Sequence, residues 1–248
     1  MMLLPSAEYL LIGAVLVLYL YDSAVLLYDN EAVLYPSRGN RWRVLFASDA
    51  FQCKGKGVLL PNPFAPHRPL YRITWSMGEE STPENEVEEP NHLFGWLAVQ
   101  VGFMAFALFI LLPAGLFARH RDAFMLAAIV SFYGAATSAL SYIWIQRRQL
   151  RCSGAAFVRL AFESLTCPPF ALNLVRHLSL AHELPFDLEN AARALQCDAD
   201  WAETRQALIT RLENELMWSD GRPESVAKLN RLVARLTTNR NTGEQSLC

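Results

Sequence analysis

Two long stretches of the chain carry no charged residue, and they define the expected architecture. Residues 93–118 and 123–146 contain no Asp, Glu, Lys or Arg and are 26 and 24 residues long. At a rise of roughly 1.5 Å per residue, each helix would exceed the ~30 Å hydrocarbon core of a bilayer. Only residues 119–122 separate the two stretches, so the pattern predicts an antiparallel transmembrane hairpin over 93–146.

A shorter apolar stretch lies near the N-terminus. Between Glu8 and Asp22 the chain has 13 uncharged residues, a length that also fits the apolar core of a signal peptide. Cleavage is disfavoured because no basic residue precedes the stretch and no A-x-A-like site follows it. Continuing the stretch to Tyr28 gives a span that includes Asp22. We therefore predict a first transmembrane helix over residues 6–28, within a segment 1–28.

The polar remainder divides into regions of different pattern. Alternation within residues 41–44 and 70–75 predicts a small β-containing domain over 29–78. An acidic linker, 79–92, connects this domain to the hairpin. Residues 147–238 predict a cytoplasmic bundle of four or five short helices, and 239–248 a disordered tail. The predicted class is an α-helical integral membrane protein with three transmembrane helices, a β-containing insertion and a C-terminal short-helix bundle.

Arginines near the spans predict the orientation, because basic residues concentrate on the cytoplasmic side. The hairpin turn carries Arg119 and Arg121, whereas the segments after the first and third helices carry seven arginines. These seven are Arg38, Arg41, Arg43, Arg147, Arg148, Arg151 and Arg159. We predict an external N-terminus and cytoplasmic placement of residues 29–92 and 147–248.

Composition narrows the class and the compartment. Hydrophobic residues make up 52% of the chain, charged residues 19%, and the net charge is −2, which argues against nucleic acid as a partner. Five cysteines without a CxxC predict free thiols in a reducing compartment. The strong preference for Arg over Lys suggests a bacterial source, hence the bacterial inner membrane.

Motifs that carry chemistry are lacking in the sequence. Gly55-Lys56-Gly57 fits neither phosphate-binding glycine pattern and predicts a turn. His177 and His182 differ by five positions and would point to different sides of a helix, as expected for surface or packing residues. We predict no catalytic residue, cofactor or metal site.

Asp22 is the candidate polar residue inside the membrane. A carboxylate within a spanning helix is costly, and such groups are often functional. Two alternatives stay open, because the helix can be centred so that Asp22 is intramembrane or so that it lies at the interface. An interfacial or hydrogen-bonded structural role competes with proton or ion handling.

Small residues predict where the hairpin helices pack closely. On the third helix, one face carries Ala127, Ser131, Gly134, Ala135 and Ser138. On the second helix, the matching candidates are Ala98, Gly102 and Ala105. These residues either close the hairpin or contact another protein.

The function expected from these features is that of a non-enzymatic accessory, assembly or scaffold factor presenting cytoplasmic domains at the membrane. Its expected partners are membrane lipid and a protein partner or a second copy of the chain. The alternatives are a membrane-embedded enzyme acting on a lipid or isoprenoid substrate and a small subunit of a transporter complex. The enzyme alternative requires polar groups that converge in the folded chain.

Overall fold

A computed structural model of the chain describes residues 7–28, 30–37, 41–53, 56–74, 93–117, 121–182, 184, 188–218 and 223–238. The predicted acidic linker 79–92 and the predicted tail 239–248 lie outside the described residues. The description resumes at Leu93, which begins a short turn before the helix that starts at Gly95.

The described residues form nine helices. They are α1 (Ala7–Ser23), α2 (Gly95–Phe117), α3 (Arg121–Ile145), α4 (Gly154–Thr166), α5 (Pro168–Leu172), α6 (Leu174–Ala181), α7 (Leu188–Leu195), α8 (Asp198–Trp218) and α9 (Pro223–Thr238).

Helices α2 and α3 pack against each other as a hairpin, in the part of the chain where two uncharged stretches predicted it. Near the turn the approach is close, since a Cβ at Gly115 would lie 2.9 Å from Cγ of Met125. Within α2, residues Ala107–Leu111 form a π-helical turn ahead of Pro113. A proline has no N–H and disturbs the regular helical ladder, which a local π-turn accommodates.

Helix α1 runs antiparallel to α2. The ring of Tyr9 lies 5.2 Å from that of Phe117, and the ring of Tyr19 lies 5.6 Å from that of Phe109. The start of α1 and the hairpin turn therefore share one end of the molecule. The end of α1, the start of α2 and the end of α3 share the other end.

The predicted first helix, 6–28, is too long. Helix α1 ends at Ser23, whose hydroxyl donates to the carbonyl oxygen of Tyr19, and Val25–Leu27 form a strand instead. Val25 and Leu27 are buried in a small apolar cluster of the β region, whereas Leu26 between them is exposed. Burial of alternate side chains against a sheet favours the extended conformation there over another helical turn.

The β region consists of two three-stranded antiparallel sheets. The strands are β1 (Val25–Leu27), β2 (Glu31–Pro36), β3 (Trp42–Phe46), β4 (Phe51–Cys53), β5 (Lys56–Leu59) and β6 (Tyr71–Thr74). Their orders are β1-β5-β4 and β3-β2-β6. The turn predicted at Gly55–Gly57 is partly wrong, because Lys56 and Gly57 belong to β5. A Cβ at Gly57 would collide with the carbonyl oxygen of Ala47, so this strand position requires glycine.

The β region and helices α6–α9 form one polar body, which we call the head. The hydroxyl of Ser179 on α6 accepts a hydrogen bond from the backbone N–H of Leu70 (2.8 Å). An ion pair of 2.6 Å joins Arg211 on α8 to Asp49, and the guanidinium stacks on the ring of Phe46. The two polar regions that flank the hairpin in sequence thus pack together.

The prediction that 147–238 is one separate bundle is wrong for its first two helices. Helix α4 folds back along α3, with Phe157 beside Trp144 (ring centroids 5.0 Å apart) and Leu165 beside Tyr133. Helix α5 then packs against α1 and α2. Pro168 and Pro169 start this helix and are compatible with its first turn, so the chain reverses at Cys167.

Candidate functional site

The most connected group of buried polar side chains lies where the end of α1 meets α6. We call this group the polar junction. Its members are Tyr19, Asp22, Ser23, Asn173, Arg176 and His177.

Asn173 is the centre of the polar junction. It lies between α5 and α6 and is fully buried. Its amide nitrogen donates to Oδ2 of Asp22 (2.9 Å) and, over 3.4 Å, to the carbonyl oxygen of Tyr19. Its amide oxygen accepts from Nη1 of Arg176 (3.1 Å) and lies 3.1 Å from the hydroxyl of Ser23, whose single proton is shared between this oxygen and the carbonyl oxygen of Tyr19. Both amide protons and the amide oxygen of Asn173 therefore have partners, as a buried amide requires.

Oδ2 of Asp22 lies within hydrogen-bond distance of Nε2 of His177, at 3.0 Å. The exposed fractions of the two side chains are 21% and 31%, so the pair lies at the edge of the junction. The imidazole stacks on the ring of Phe170 with centroids 4.3 Å apart, which fixes its plane. The carboxylate thus has two partners on the segment that follows α5.

Arg176 ties the junction to the β region. Its side chain is 3% exposed, and Nη2 donates to the backbone oxygens of Asn62 (2.6 Å) and Ala65 (3.1 Å). Burial lowers the pKa of Arg176, while Tyr19 and Asp22 act in the opposite direction. The hydroxyl of Tyr19 donates to the carbonyl oxygen of Pro63 in the same loop. One loop of the β region is therefore fixed to α1 and α6 together.

The chemistry available to this arrangement is limited by its internal bonding. An aspartate oriented toward a histidine can support general-base catalysis when a nucleophile lies within hydrogen-bond reach of the imidazole. The described hydroxyl in the junction nearest in sequence to Asp22, that of Ser23, is bonded to Tyr19 and Asn173 instead. Within the described residues, no three His, Cys, Asp or Glu side chains converge as metal ligands would.

Comparison with profiles of known families, with curated proteins and with solved structures finds no match for this chain. A role for the polar junction is therefore argued from its geometry alone. That geometry connects three segments that are distant in sequence: the end of α1, the loop around Pro63 and the start of α6.

The predicted packing residues are only partly in the helix interface. Of the third-helix candidates, Ala135 is buried, whereas Ala127, Ser131 and Ser138 are half-buried and Gly134 is exposed. On α2, Ala98 and Ala105 are half-buried and Gly102 is exposed. No heavy atom outside its local backbone lies within 4 Å of a Cβ built on either exposed glycine.

The buried face of α3 is instead displaced by one position from the predicted one. It consists of Ala128, Phe132, Ala135, Ala136, Ala139, Leu140 and Ile143. The predicted small-residue face therefore shares Ala135 with the buried face, and its contact with another protein stays a prediction. The close contact of Gly115 with Met125 was not predicted.

Sequence reasoning found Asp22 but not its partners. A detectable signal was that Asn173, Arg176 and His177 are spaced three and four apart, so one helical face carries all three. Nothing in the sequence linked that face to α1, because Asn173 and Asp22 are 151 positions apart.

Proposed function

We propose that the chain is a non-enzymatic integral membrane protein in which α1, α2 and α3 span the bilayer and hold the head on one side. In this role the protein acts as an accessory, assembly or scaffold factor. The polar junction positions the head relative to the helices.

The observation that carries this proposal is the exposed apolar surface of the helices. Large apolar side chains exposed on α1 to α4 include Val17, Phe103, Phe106, Val130 and Phe162. In the head, Met217 is the single large apolar side chain exposed on the described part of α6 to α9. The β region exposes a smaller set than the helices, namely Leu26, Tyr28, Phe51, Leu60 and Phe64. Burying one such side chain contributes about 1.5–3 kcal/mol relative to leaving it in water. A surface with many exposed apolar side chains therefore favours lipid over water as its surroundings.

Length and composition of the helices agree with this role. Helices α2 and α3 have mean hydropathies of 2.2 and 1.7 over their most apolar windows. Core helices of soluble proteins also reach such values, but they are mostly buried, whereas only 33% of each window is buried here. Trp96 and Trp144 are exposed at the head end of the hairpin, where aromatic side chains favour the interface between lipid and water.

The position of Asp22 along α1 bears on its role. Asp22 lies roughly 20 Å along the helix axis from Tyr9, at about 1.5 Å per residue, and Tyr9 is level with the hairpin end of α2. If the hydrocarbon core of the bilayer is about 30 Å thick and begins at the level of Tyr9, Asp22 lies inside it. A carboxylate at that depth needs partners, and Asn173 and His177 supply them.

The proposed orientation places the head in the cytoplasm of a bacterial cell, with the N-terminus and the hairpin turn outside. It rests on the arginines near the spans. Among these, Arg147 stacks on the ring of Trp144 at 4.3 Å, at the head end of α3.

Extraction with alkaline carbonate tests the membrane assignment. We expect the protein to remain with the membrane pellet and to require detergent for release. Recovery in the aqueous fraction would contradict the proposal. Purification in a mild detergent then tests the accessory role, for which a stable stoichiometric protein partner is the expected result.

A second candidate function is supported by the polar junction itself. A membrane enzyme acting on a lipid or isoprenoid needs converging polar groups, and Asp22, Asn173, Arg176 and His177 converge. We favour the positioning role because most of their polar atoms already bond to one another or to backbone. A lone purified protein that alters a co-purified lipid, and that loses this activity in Asp22→Asn, would establish the enzyme instead.

A further inference from the structure

A cleft in the head, separate from the membrane-facing surface, has an unusual charge. It lies between the β region and α6 and has a volume of roughly 200 Å³. Its lining includes Leu59, Leu60 and Leu70 together with Arg68 and Arg176. Among the described residues, no aspartate or glutamate lines it.

The two guanidinium groups have unused hydrogen-bonding capacity. Arg68 is half-buried, and the one hydrogen bond of its guanidinium within the described residues is to the carbonyl oxygen of Pro36 at 3.5 Å, the limit of such a contact. Arg176 is only 3% exposed, and its Nε has no hydrogen-bond partner in the described part of the chain. A guanidinium carries five N–H donors and is suited to planar or tetrahedral oxyanions.

The neighbouring His67 is affected by the positive charge of the cleft. Burial lowers the pKa of His67, and Arg68 and Arg176 lower it further. Asp22, the carboxylate of the polar junction, is paired with His177. The cleft therefore combines two cations with a partly enclosed, mainly apolar wall, an arrangement that favours an anionic ligand.

We propose that this cleft binds a phosphate group, with Arg68 as the principal ligand-binding residue and Arg176 as the buried cation behind it. Leu59, Leu60 and Leu70 form the wall against which the apolar part of a phosphate ester packs. The phosphate comes either from a phospholipid headgroup or from a soluble phosphate compound, and both sources present the same tetrahedral anion.

The surroundings of the cleft favour the lipid source, an inference that rests on the proposed membrane function. Leu60 beside the cleft is exposed, and Phe64 in the same loop is 91% exposed. This loop is bonded to α1 through the hydroxyl of Tyr19 and the oxygen of Pro63. The cleft therefore opens beside the end of a helix that we propose to be in lipid, where phosphate headgroups are concentrated.

The test compares the full-length wild type with Arg68→Gln and with a matched control, Arg193→Gln, which removes an exposed arginine from α7. In detergent, inorganic phosphate is titrated against chloride at constant ionic strength while the melting temperature is recorded. In a second arm, the protein is placed in nanodiscs of phosphatidylcholine with or without phosphatidic acid. A ligand that binds only the folded protein raises its melting temperature.

Saturable stabilisation by inorganic phosphate without stabilisation by phosphatidic acid indicates a soluble source, and stabilisation by phosphatidic acid indicates the lipid source. In either case we expect binding about tenfold weaker or more in Arg68→Gln, and unchanged in Arg193→Gln, since a charge-assisted contact is lost. Arg68→Lys keeps the positive charge but not the planar guanidinium with its paired N–H donors, so it should bind with intermediate affinity.

Equal responses of wild type and Arg68→Gln in both arms, or no saturable response in either, would overturn the phosphate site. Such a result would leave the membrane proposal standing if the protein still resists carbonate extraction. If Arg68→Gln melts well below the wild type without ligand, Arg68→Lys decides instead: weaker binding by Arg68→Lys than by Arg193→Gln supports the site, and equal binding by the two variants refutes it.

Discussion

Replacement of Asn173 by leucine tests whether the polar junction holds the fold together. Leucine has the same branched shape and the same number of side-chain heavy atoms, so Asn173→Leu removes three hydrogen bonds and a contact shared with Ser23 without opening a large cavity. The half-buried carboxylate of Asp22 and the buried guanidinium of Arg176 each lose one partner. The expected result is a substantial loss of stability with an unchanged helix content.

The magnitude follows from the partners of Asn173. A hydrogen bond to a charged group contributes about 1.5–3 kcal/mol, and a neutral one about 0.5–1.5 kcal/mol. Asn173 makes two bonds of the first kind and two contacts of the second, of which the one over 3.4 Å is long. Asp22 keeps His177, and Arg176 keeps two backbone oxygens. The neutral contacts add little, because one is long and the other shares its proton with Tyr19, so we expect the free energy of unfolding to fall by about 3 kcal/mol, the low end for the two charged bonds alone.

The measurement is denaturant unfolding of the detergent-solubilised protein followed by circular dichroism. The matched control is Asn214→Leu on the exposed side of α8, for which the expected change is within about 0.5 kcal/mol. A decrease below about 1 kcal/mol for Asn173→Leu would refute the reasoning, because the buried charges would then have found other partners at little cost.

Two further predictions concern packing and pH. Gly115→Val should cost about 2 kcal/mol, because its Cβ would lie 2.9 Å from Sδ and 3.1 Å from the backbone nitrogen of Met125, whereas Gly134→Ala should cost nothing. Equal unfolding energies for these two variants would contradict the packing described here. The folded-state pKa of His67 lies below its ordinary value of 6.5, so the unfolded chain binds more protons and stability falls as the pH drops below 6.5. His67→Asn should reduce that fall when melting temperatures at about pH 7.5 and about pH 5.5 are compared, and an unchanged fall would refute the assignment.

Helix positions were the part of the fold that could be predicted from the sequence. The hairpin helices follow from two uncharged stretches, because hydropathy over a long window depends on local composition only. The end of α1 could not be predicted in this way, since Val25 and Leu27 are as apolar in a strand as in a helix. Their conformation depends on pairing with Leu59 and Gly57, which are more than 25 positions away.

The packing face of α3 and the polar junction also depend on distant contacts. Helix α3 carries apolar side chains on all its faces, so its sequence does not distinguish the face that packs against α2 from the face that points outward. Asp22 was recognisable as an ionisable residue beside an apolar stretch. Its partners Asn173 and His177 lie on a segment that was predicted to be part of a separate domain, and only the return of α5 toward α1 brings them together.

The central claim is that the hairpin turn and the head lie on opposite sides of a membrane, and thiol labelling tests it most directly. Cys53 on β4 is exposed in the head, and Asp122 is exposed at the start of α3. In variants with a single cysteine at position 53 or at position 122 (Asp122→Cys), a membrane-impermeant maleimide is applied to intact and to permeabilised cells. We predict labelling of position 122 in intact cells and of Cys53 only after permeabilisation. Labelling of both positions in intact cells, or of neither position until the cells are permeabilised, would contradict the account.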